Sequence, residues 1–181
     1  MSFLDRQTLL ATAMIQLSRG GIVGLSFRGI AAALDLTTEE LQEFFENRSV
    51  LEAALAAESS QWLLTSLQTA AGTKAPKAAI QSMAQALLRF ARNEPHVFSL
   101  SQKHDGPRYG ASSVASELWS FVLAKVSDVY PHDKAPNAAI AFWALLVGLA
   151  SFASAGSLSQ AELMRCLDLG VSGWLMAALV N

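Results

Sequence analysis

The stretch from Ser26 to Arg48 constrains the fold of this chain more than any other segment. It has the pattern of two short helices joined by a tight turn near Asp35–Leu36. Thr37 opens the second helix and Glu40 follows three residues later, which is the spacing of a helix-capping box. A helix-turn-helix of this size usually places its second helix in the major groove of DNA.

Residues that favour helix N-caps also stand at the other two helix starts in this stretch. Ser26 precedes the first helix of the motif, and Asn47 precedes the helix that follows the second one. Leu41, Phe44 and Phe45 supply the buried side of the second helix. The stretch therefore predicts two short helices with defined starts and a third helix opening behind them.

Together with the helix before it, this stretch resembles the DNA-binding domain of the TetR family of bacterial regulators. The resemblance runs without a gap over about the first third of the chain. It implies an all-α fold of about nine helices, in which a three-helix helix-turn-helix DNA-binding domain (residues 1–47) precedes a helical ligand-binding and dimerisation domain (residues 48–181). The matching positions are Ser26, Ile30–Ala31, Leu36, Thr37, Leu41, Phe45, Arg48 and Leu51.

The resemblance also implies a set of DNA contacts on a palindromic operator. Two arginines would hold phosphates, an aromatic ring would touch a thymine methyl group, and polar side chains would face the groove. The residues assigned to these contacts are Arg28, Thr37, Thr38, Gln42, Phe44 and Arg48. The leading hypothesis is a dimeric TetR-type transcriptional regulator that a small hydrophobic effector releases from DNA or modulates.

The second helix of the motif departs from the family pattern where it would meet DNA. The replacements are Asp35 for the turn glycine, Glu39 for a small residue, Gln42 for a phosphate-contacting tyrosine and Phe44 for a His/Tyr position. Residues 1–58 carry four arginines against eight carboxylates, a net charge of −4. Lys and Arg contacts to phosphates supply most non-specific DNA affinity. The alternative hypothesis is therefore a TetR-fold ligand-binding or protein-interaction module that has lost sequence-specific DNA binding.

Apolar periodicity divides the whole chain into helices separated by Gly, Pro and polar turns. The first helix is predicted to end at Gly20–Gly21, and one or two turns of helix follow Glu94–Pro95. The polar segment 103–110 is predicted to be a mobile loop. The remaining helices are predicted at residues 47–71, 76–93, 111–129, 135–156 and 160–180.

Aromatic side chains in the predicted body either fill its core or line a cavity between helices. The TetR resemblance favours a cavity for a small hydrophobic effector. The residues assigned to it are Met83, Leu87, Phe90, Trp119 and Trp143. The polar groups that would orient such a ligand are Gln81, Gln85, Arg89 and Glu117.

The most apolar part of the chain lies in its last third, where no charged residue occurs from Ala135 through Ala161. Its unbroken apolar run, Ala138–Ala150, has 13 residues. Spanning a bilayer takes about 20 residues, so the run predicts a buried helix and no membrane partner.

Small residues repeat at helical spacing in the last two predicted helices, which allows close helix packing. Two such helices per chain predict a four-helix interface with a two-fold mate, and the alternative is an ordinary monomer core. The resemblance favours the homodimer. The interface residues assigned are Ala144, Gly148, Ser151, Gly170, Gly173 and Trp174.

Several function classes lack support in the sequence. His96, His104 and His132 have no partners at metal-ligand spacing, and neither a phosphate-binding glycine loop nor a nucleophile elbow is present. We therefore expect no enzyme activity, no catalytic residues, no metal and no cofactor. The lone Cys166 fits a reducing compartment, and the N-terminus has no signal-peptide pattern, so a cytoplasmic location is expected.

Overall fold

A computed structural model describes residues 5–104 and 113–180. These residues form nine helices and contain no strand, which confirms the predicted all-α fold. Of the loop predicted at 103–110, residues 105–110 lie outside the described residues. The helices are α1 (Arg6–Gly24), α2 (Phe27–Ala33), α3 (Thr38–Phe44), α4 (Arg48–Ala71), α5 (Pro76–Asn93), α6 (Pro95–His104), α7 (Ser113–Ser127), α8 (Ala135–Ser154) and α9 (Gln160–Val180).

Side-chain caps start the helices where the sequence predicts them. Ser26 accepts a hydrogen bond from the main-chain N–H of Gly29, at 3.0 Å, and begins α2. Asn47 accepts one from Val50, at 3.1 Å, and begins α4. Both predicted caps are confirmed, and each satisfies a main-chain donor that the first helical turn leaves free.

The first helix differs from its prediction, because it does not end at Gly20–Gly21. The chain breaks at Gly21, with φ 61° and ψ −168°, and then resumes a helical course to Gly24. Glycine tolerates this backbone region almost alone. A Cβ atom on Gly21 would also come within 2.9 Å of Nδ1 of His96 in α6, so the glycine allows the two helices to approach closely.

The sixth helix is longer than predicted, since it covers ten residues in place of one or two turns. Pro95 is its first residue, a position where the missing N–H costs nothing. Val97, Phe98 and Leu100 are buried, so packing against the rest of the protein extends the helix.

Two hydrophobic clusters form the interior, and α4 contributes to both. Its first half places Leu51 and Leu55 in the head cluster, with α1, α2, α3 and α6. Its second half places Leu63 and Leu67 in the body cluster, with α5, α7, α8 and α9. Phe90 of α5 packs against both clusters. The head is therefore not packed on itself alone, since its core continues into α4 and α6.

The apolar helix α8 packs against α5, α7 and α9. Its buried side carries Phe142, Trp143 and Leu146, which belong to the body cluster. Among the described helices it alone is long and apolar enough to cross a membrane, a test that core helices of soluble proteins also pass. Its packing fits the buried helix predicted from the sequence.

Candidate DNA interface and ligand groove

The turn of the helix-turn-helix is built around Asp35, which occupies the position of the expected glycine. Its φ of 56° lies in the left-handed region, where Asp is tolerated better than most side chains. The main-chain N–H of Leu36 then donates to the carbonyl oxygen of Ala31, at 2.9 Å, and closes the turn. The departure from glycine therefore preserves the turn geometry.

A complete capping box starts α3. The Glu40 carboxylate accepts from the Thr37 main-chain N–H at 2.8 Å and from its hydroxyl at 3.0 Å. The Thr37 hydroxyl in turn accepts from the Glu40 N–H at 3.2 Å. These bonds, led by the main-chain one, lower the pKa of Glu40 below its ordinary value. The Thr37 hydroxyl, assigned to DNA from the sequence, is thus already bonded within the helix start.

The exposed face of α3 presents few groups that attract DNA. Thr38 and Gln42 are four residues apart and share a face. Gln42 is exposed, while the Thr38 hydroxyl donates to the neighbouring Glu39 carboxylate at 3.2 Å. Glu39 and Glu43 are exposed beside them. Gln42 is therefore the residue of α3 best placed to reach base edges.

The other assigned DNA contacts differ in their surroundings. Arg28 is exposed on α2. Phe44 is half-buried and packs against the head cluster. The Arg48 guanidinium donates from Nε to the Glu52 carboxylate at 2.6 Å and from Nη2 to the Ile22 carbonyl oxygen at 2.5 Å. Arg48 thus joins α4 to α1 as well as standing at the head surface.

A groove with a volume of about 520 Å³ lies between α4 and α5. This volume is within the range of small-molecule sites, about 300–1,000 Å³. Its walls combine two aromatic rings, hydroxyl groups and one guanidinium. The lining residues are Trp62, Thr65, Ser66, Thr69, Ala70, Ala86, Arg89 and Phe90.

Of the five residues assigned to a ligand pocket from the sequence, Phe90 lines this groove. Met83 and Leu87 are fully buried in the body cluster, and Trp119 packs against that cluster. Trp143 is also buried, and its indole N–H has no partner among the described residues. Arg89, predicted to orient the ligand, also lines the groove, whereas no residue of the α4 wall was predicted to do so, although Trp62, Ser66 and Thr69 recur at helical spacing.

The residues assigned to a dimer interface occupy two different environments. Trp174 stacks near Tyr130 and Phe142 of its own chain, and its N–H donates to the Ala138 carbonyl oxygen at 3.0 Å. A Cβ on Gly170 would lie 2.9 Å from a methyl group of Leu145. These two residues therefore pack α9 on α8 within one chain. The exposed ones are Ala144, Gly148, Ser151 and Gly173.

Large apolar side chains are also exposed on α8 and α9. Leu169, Met176 and Leu179 of α9 are 78%, 66% and 70% exposed. Phe152 of α8 is half exposed, at 50%. An exposed apolar surface of this kind commonly marks an interaction site.

The architecture is that of a helix-turn-helix protein whose head is continuous, through one long helix, with an all-helical body. A family model described as "Tetracyclin repressor-like, C-terminal domain" matches residues 80–172, which is just over half of the chain. The chain belongs to the TetR family of transcriptional regulators, as the resemblance of its N-terminal third predicted.

Solved structures share the fold over nearly the whole chain. A protein of unknown function from Rhodococcus sp. RHA1 is 23% identical, with a TM-score of 0.80 over 96% of this chain and 94% of that one. A TetR-like transcriptional regulator from the same organism is 18% identical, with a TM-score of 0.70 and coverage of 98% and 99%. A TetR variant from Acinetobacter baumannii AYE in complex with minocycline is 15% identical, with a TM-score of 0.70 and coverage of 96% of both chains. A search of curated proteins found no match.

Proposed function

We propose that this protein is a cytoplasmic regulator that binds palindromic operator DNA as a homodimer and responds to a small hydrophobic effector bound in its body. The shared helix α4 carries the proposal. Leu51 and Leu55 fix its first half in the head, and Trp62 and Thr69 place its second half along the groove. A ligand that shifts α4 against α5 would therefore reposition the head.

Such a response requires two head positions whose populations the effector changes. In a dimer the spacing of the two heads decides whether both fit successive major grooves, which lie about 34–36 Å apart. A second connection runs from the body to the head through α6, whose His96 lies against Gly21 of α1. Effector binding would act on DNA affinity by favouring the head spacing that does not fit.

We assign the DNA contacts to the exposed polar groups of the head. Gln42 would read a base edge, a role that suits adenine because the amide can pair with both N6 and N7. Arg28 would neutralise a phosphate from α2. The N-terminus of α4 after Asn47 offers main-chain N–H groups to a second phosphate. Thr38, Phe44 and Arg48 would support these contacts from the edge of the same surface.

We propose that the exposed face of α8 and α9 is the dimer interface. The small residues Ala144, Gly148 and Gly173 would let the partner helices approach closely. Leu169 and Met176 would supply apolar area, since both are largely exposed in the single chain. Trp174 and Gly170 would contribute indirectly by fixing how α9 lies on α8.

Two further observations support the remaining parts of the proposal. The structural relative that holds minocycline shows that this fold accommodates a small molecule in one protein of its class. The head core continues into α4 and α6, so residues 47 and 48 do not separate two independently packed units. We therefore propose the division there as a functional boundary and not a structural one. The first unit, with the start of α4, would contact DNA, and the rest of the second unit would bind ligand and dimerise.

The DNA affinity of the purified protein, measured for a selected fragment at several salt concentrations, tests the DNA-binding part of this proposal. We expect affinity to fall steeply with salt, since phosphate contacts release counterions. Arg28→Ala should flatten the slope, and the body variant Lys77→Ala, at an exposed position of α5, should leave it unchanged. Equal slopes for all three proteins would contradict the assignment of Arg28.

The charge of α3 favours a second candidate function, a TetR-fold module that acts without DNA. Glu39 and Glu43 flank Gln42 on the exposed face, and α3 carries no Lys or Arg. Arg48 is already paired with Glu52. Under this candidate the same salt series would show no DNA binding even at low salt, while the body would still bind its ligand.

A further inference from the structure

We infer that the groove between α4 and α5 binds an aromatic carboxylate, with Arg89 holding the carboxylate and the rings of Trp62 and Phe90 holding the aromatic part. The inference rests on the proposed function in one respect, because this ligand would be the effector. The site shares Arg89 and Phe90 with the cavity expected from the sequence, but its lining does not include Met83, Leu87, Trp119 or Trp143.

The two walls of the groove offer stacking surfaces separated by small side chains. Trp62 of α4 is 40% exposed, although it is one of the largest apolar side chains of the body. Phe90 of α5 is half-buried on the other wall. Ala70 and Ala86 also line the groove and leave space between the helices. A flat aromatic ligand would bury apolar area on both rings, and aromatic pairs are attracted beyond the effect of that area alone.

A charged group in the groove selects the ligand's polar end. Within the described part of the chain, the Arg89 guanidinium forms no hydrogen bond or ion pair. A guanidinium presents a planar pair of donors that matches a carboxylate. The next arginine along α5, Arg92, is instead bonded to the Gln160 side chain of α9. Arg89 is therefore the cation of this groove that is ready for an anionic ligand.

The hydrogen bonding of Trp62 supports the same orientation of the ligand, with its carboxylate at Arg89 and its aromatic part on the rings. Its indole N–H donates to the Glu58 carboxylate at 3.0 Å, one turn earlier on α4. This bond fixes the ring and uses its only donor, so the ring meets the groove through its apolar surface. The Thr65 hydroxyl likewise donates to the Gln61 carbonyl oxygen at 2.9 Å. The guanidinium remains as the strongest donor facing the ligand.

A ligand in this groove would affect the packing of the head through one side chain. Phe90 packs against both the head cluster and the body cluster. A ligand against Phe90 therefore contacts the one lining residue that both clusters share. The interior positions Met83 and Leu87 are 1% and 0% exposed, so a ligand there would have to displace packed core.

Isothermal titration calorimetry on the full chain without DNA tests the inference. The probes are benzoate, 1-naphthoate and biphenyl-4-carboxylate, each paired with its uncharged amide. We expect at least one acid to bind saturably and more tightly than its amide. Arg89→Gln should weaken binding of that acid by about tenfold or more, since a charge-assisted pair is worth a tenfold step or more in affinity. The same variant should change the affinity for the amide by less than about threefold.

Two further variants distinguish a loss of binding at this site from a loss caused by general effects on folding. Lys77→Gln removes an exposed charge from the first turn of α5 and should leave binding unchanged. Thr69→Phe fills the groove from an exposed position and should weaken binding of the acid and of the amide to the same extent. Saturable binding that both Arg89→Gln and Thr69→Phe leave intact would overturn the inference, as would the absence of binding by all three acids.

The same proteins keep the two proposals distinguishable. If an aromatic acid binds as expected but no DNA is bound, the groove is established and the proposed regulator function fails. If DNA is bound but no aromatic acid binds, the inference fails and the regulator function stands. When both occur, adding the acid should change DNA affinity in the wild-type protein and not in Arg89→Gln.

Discussion

The Arg48 guanidinium donates a 2.5 Å hydrogen bond to the main-chain carbonyl oxygen of Ile22, which joins the start of α4 to the end of α1. The same side chain bonds to Glu52, one turn along α4. The TetR resemblance implies a phosphate contact for this arginine, and the structure shows that it also holds two helices of the head together. Its role in stability is therefore measurable apart from DNA.

We predict that Arg48→Met lowers the free energy of unfolding by about 1 kcal/mol, because a charge-assisted hydrogen bond is lost at a half-exposed site. Urea denaturation followed by circular dichroism measures this change. Glu52→Gln is the matched control, since it removes the ion pair and keeps the bond to Ile22. We expect the control to cost less than about 0.5 kcal/mol. Equal losses in both variants would show that the Ile22 bond contributes nothing.

The contact between Gly21 and His96 gives a second prediction. Gly21→Ala should destabilise the protein by about 2 kcal/mol, because the backbone region at this residue is nearly restricted to glycine. The new methyl group would also press on the His96 ring. Gly24→Ala is the control, since nothing lies within 4 Å of its added Cβ. Thermal unfolding compares the two, and an unchanged midpoint for Gly21→Ala would contradict the break in α1.

The capping box of α3 predicts a dependence on pH. Hydrogen bonds from Thr37 lower the pKa of Glu40 in the folded state, so the carboxylate stabilises the fold above its ordinary pKa of 4.5. This stabilisation is lost as the pH falls through the lowered folded value. Glu40→Ala should therefore be less stable than wild type at neutral pH, and the difference should shrink in acid.

Urea denaturation at neutral pH and at about pH 3 measures that difference. Glu43→Ala is the control, because this exposed carboxylate lies on the same helix outside the capping box. The difference in the free energy of unfolding between Glu43→Ala and wild type should not shrink in acid. A Glu40→Ala difference that stays constant over the range would refute the role of the carboxylate in the cap.

The exposed face of α9 predicts the effect of one charge on assembly. Met176 is 66% exposed in the single chain, on the same helix as the exposed Leu169 and Leu179 of the proposed interface. We expect Met176→Glu to convert a dimer into a monomer, because an unpaired charge buried at an interface costs several kcal/mol. Sedimentation equilibrium measures the assembly, with Ser120→Glu on α7 as control. A Met176→Glu dimer as tight as wild type would place the interface elsewhere.

Local features of the fold were predictable from the sequence because short-range chemistry determines them. Ser26, Thr37 and Asn47 cap helices through bonds to residues three positions away, and all three caps are present. Asp35 was recognised as a replacement for glycine, and the structure shows it adopting the backbone that glycine would provide. The helices of the head and the body were predictable from the spacing of apolar residues, which is also a short-range feature of the sequence.

Features that depend on long-range packing were not predictable in this way. Trp174 was assigned to the dimer interface from residue spacing in the last helix, yet its ring lies against Tyr130, 44 residues earlier, which no periodicity reveals. Arg89 and Phe90 on the α5 wall of the groove were predicted, but the α4 wall was not, because the groove forms only where one face of α4 meets one face of α5. The apolar spacing of α5 and the TetR resemblance pointed to Met83 and Leu87, which the body uses as filled core.

Selection of bound fragments from a random double-stranded DNA pool, at low and then at physiological salt, shows whether this acidic head still binds operator DNA as part of a dimer. We expect enrichment of a palindromic site whose half-sites lie about one helical turn or a multiple apart, and which survives the higher salt. Absence of enrichment at either salt, from a folded dimer, would contradict this expectation.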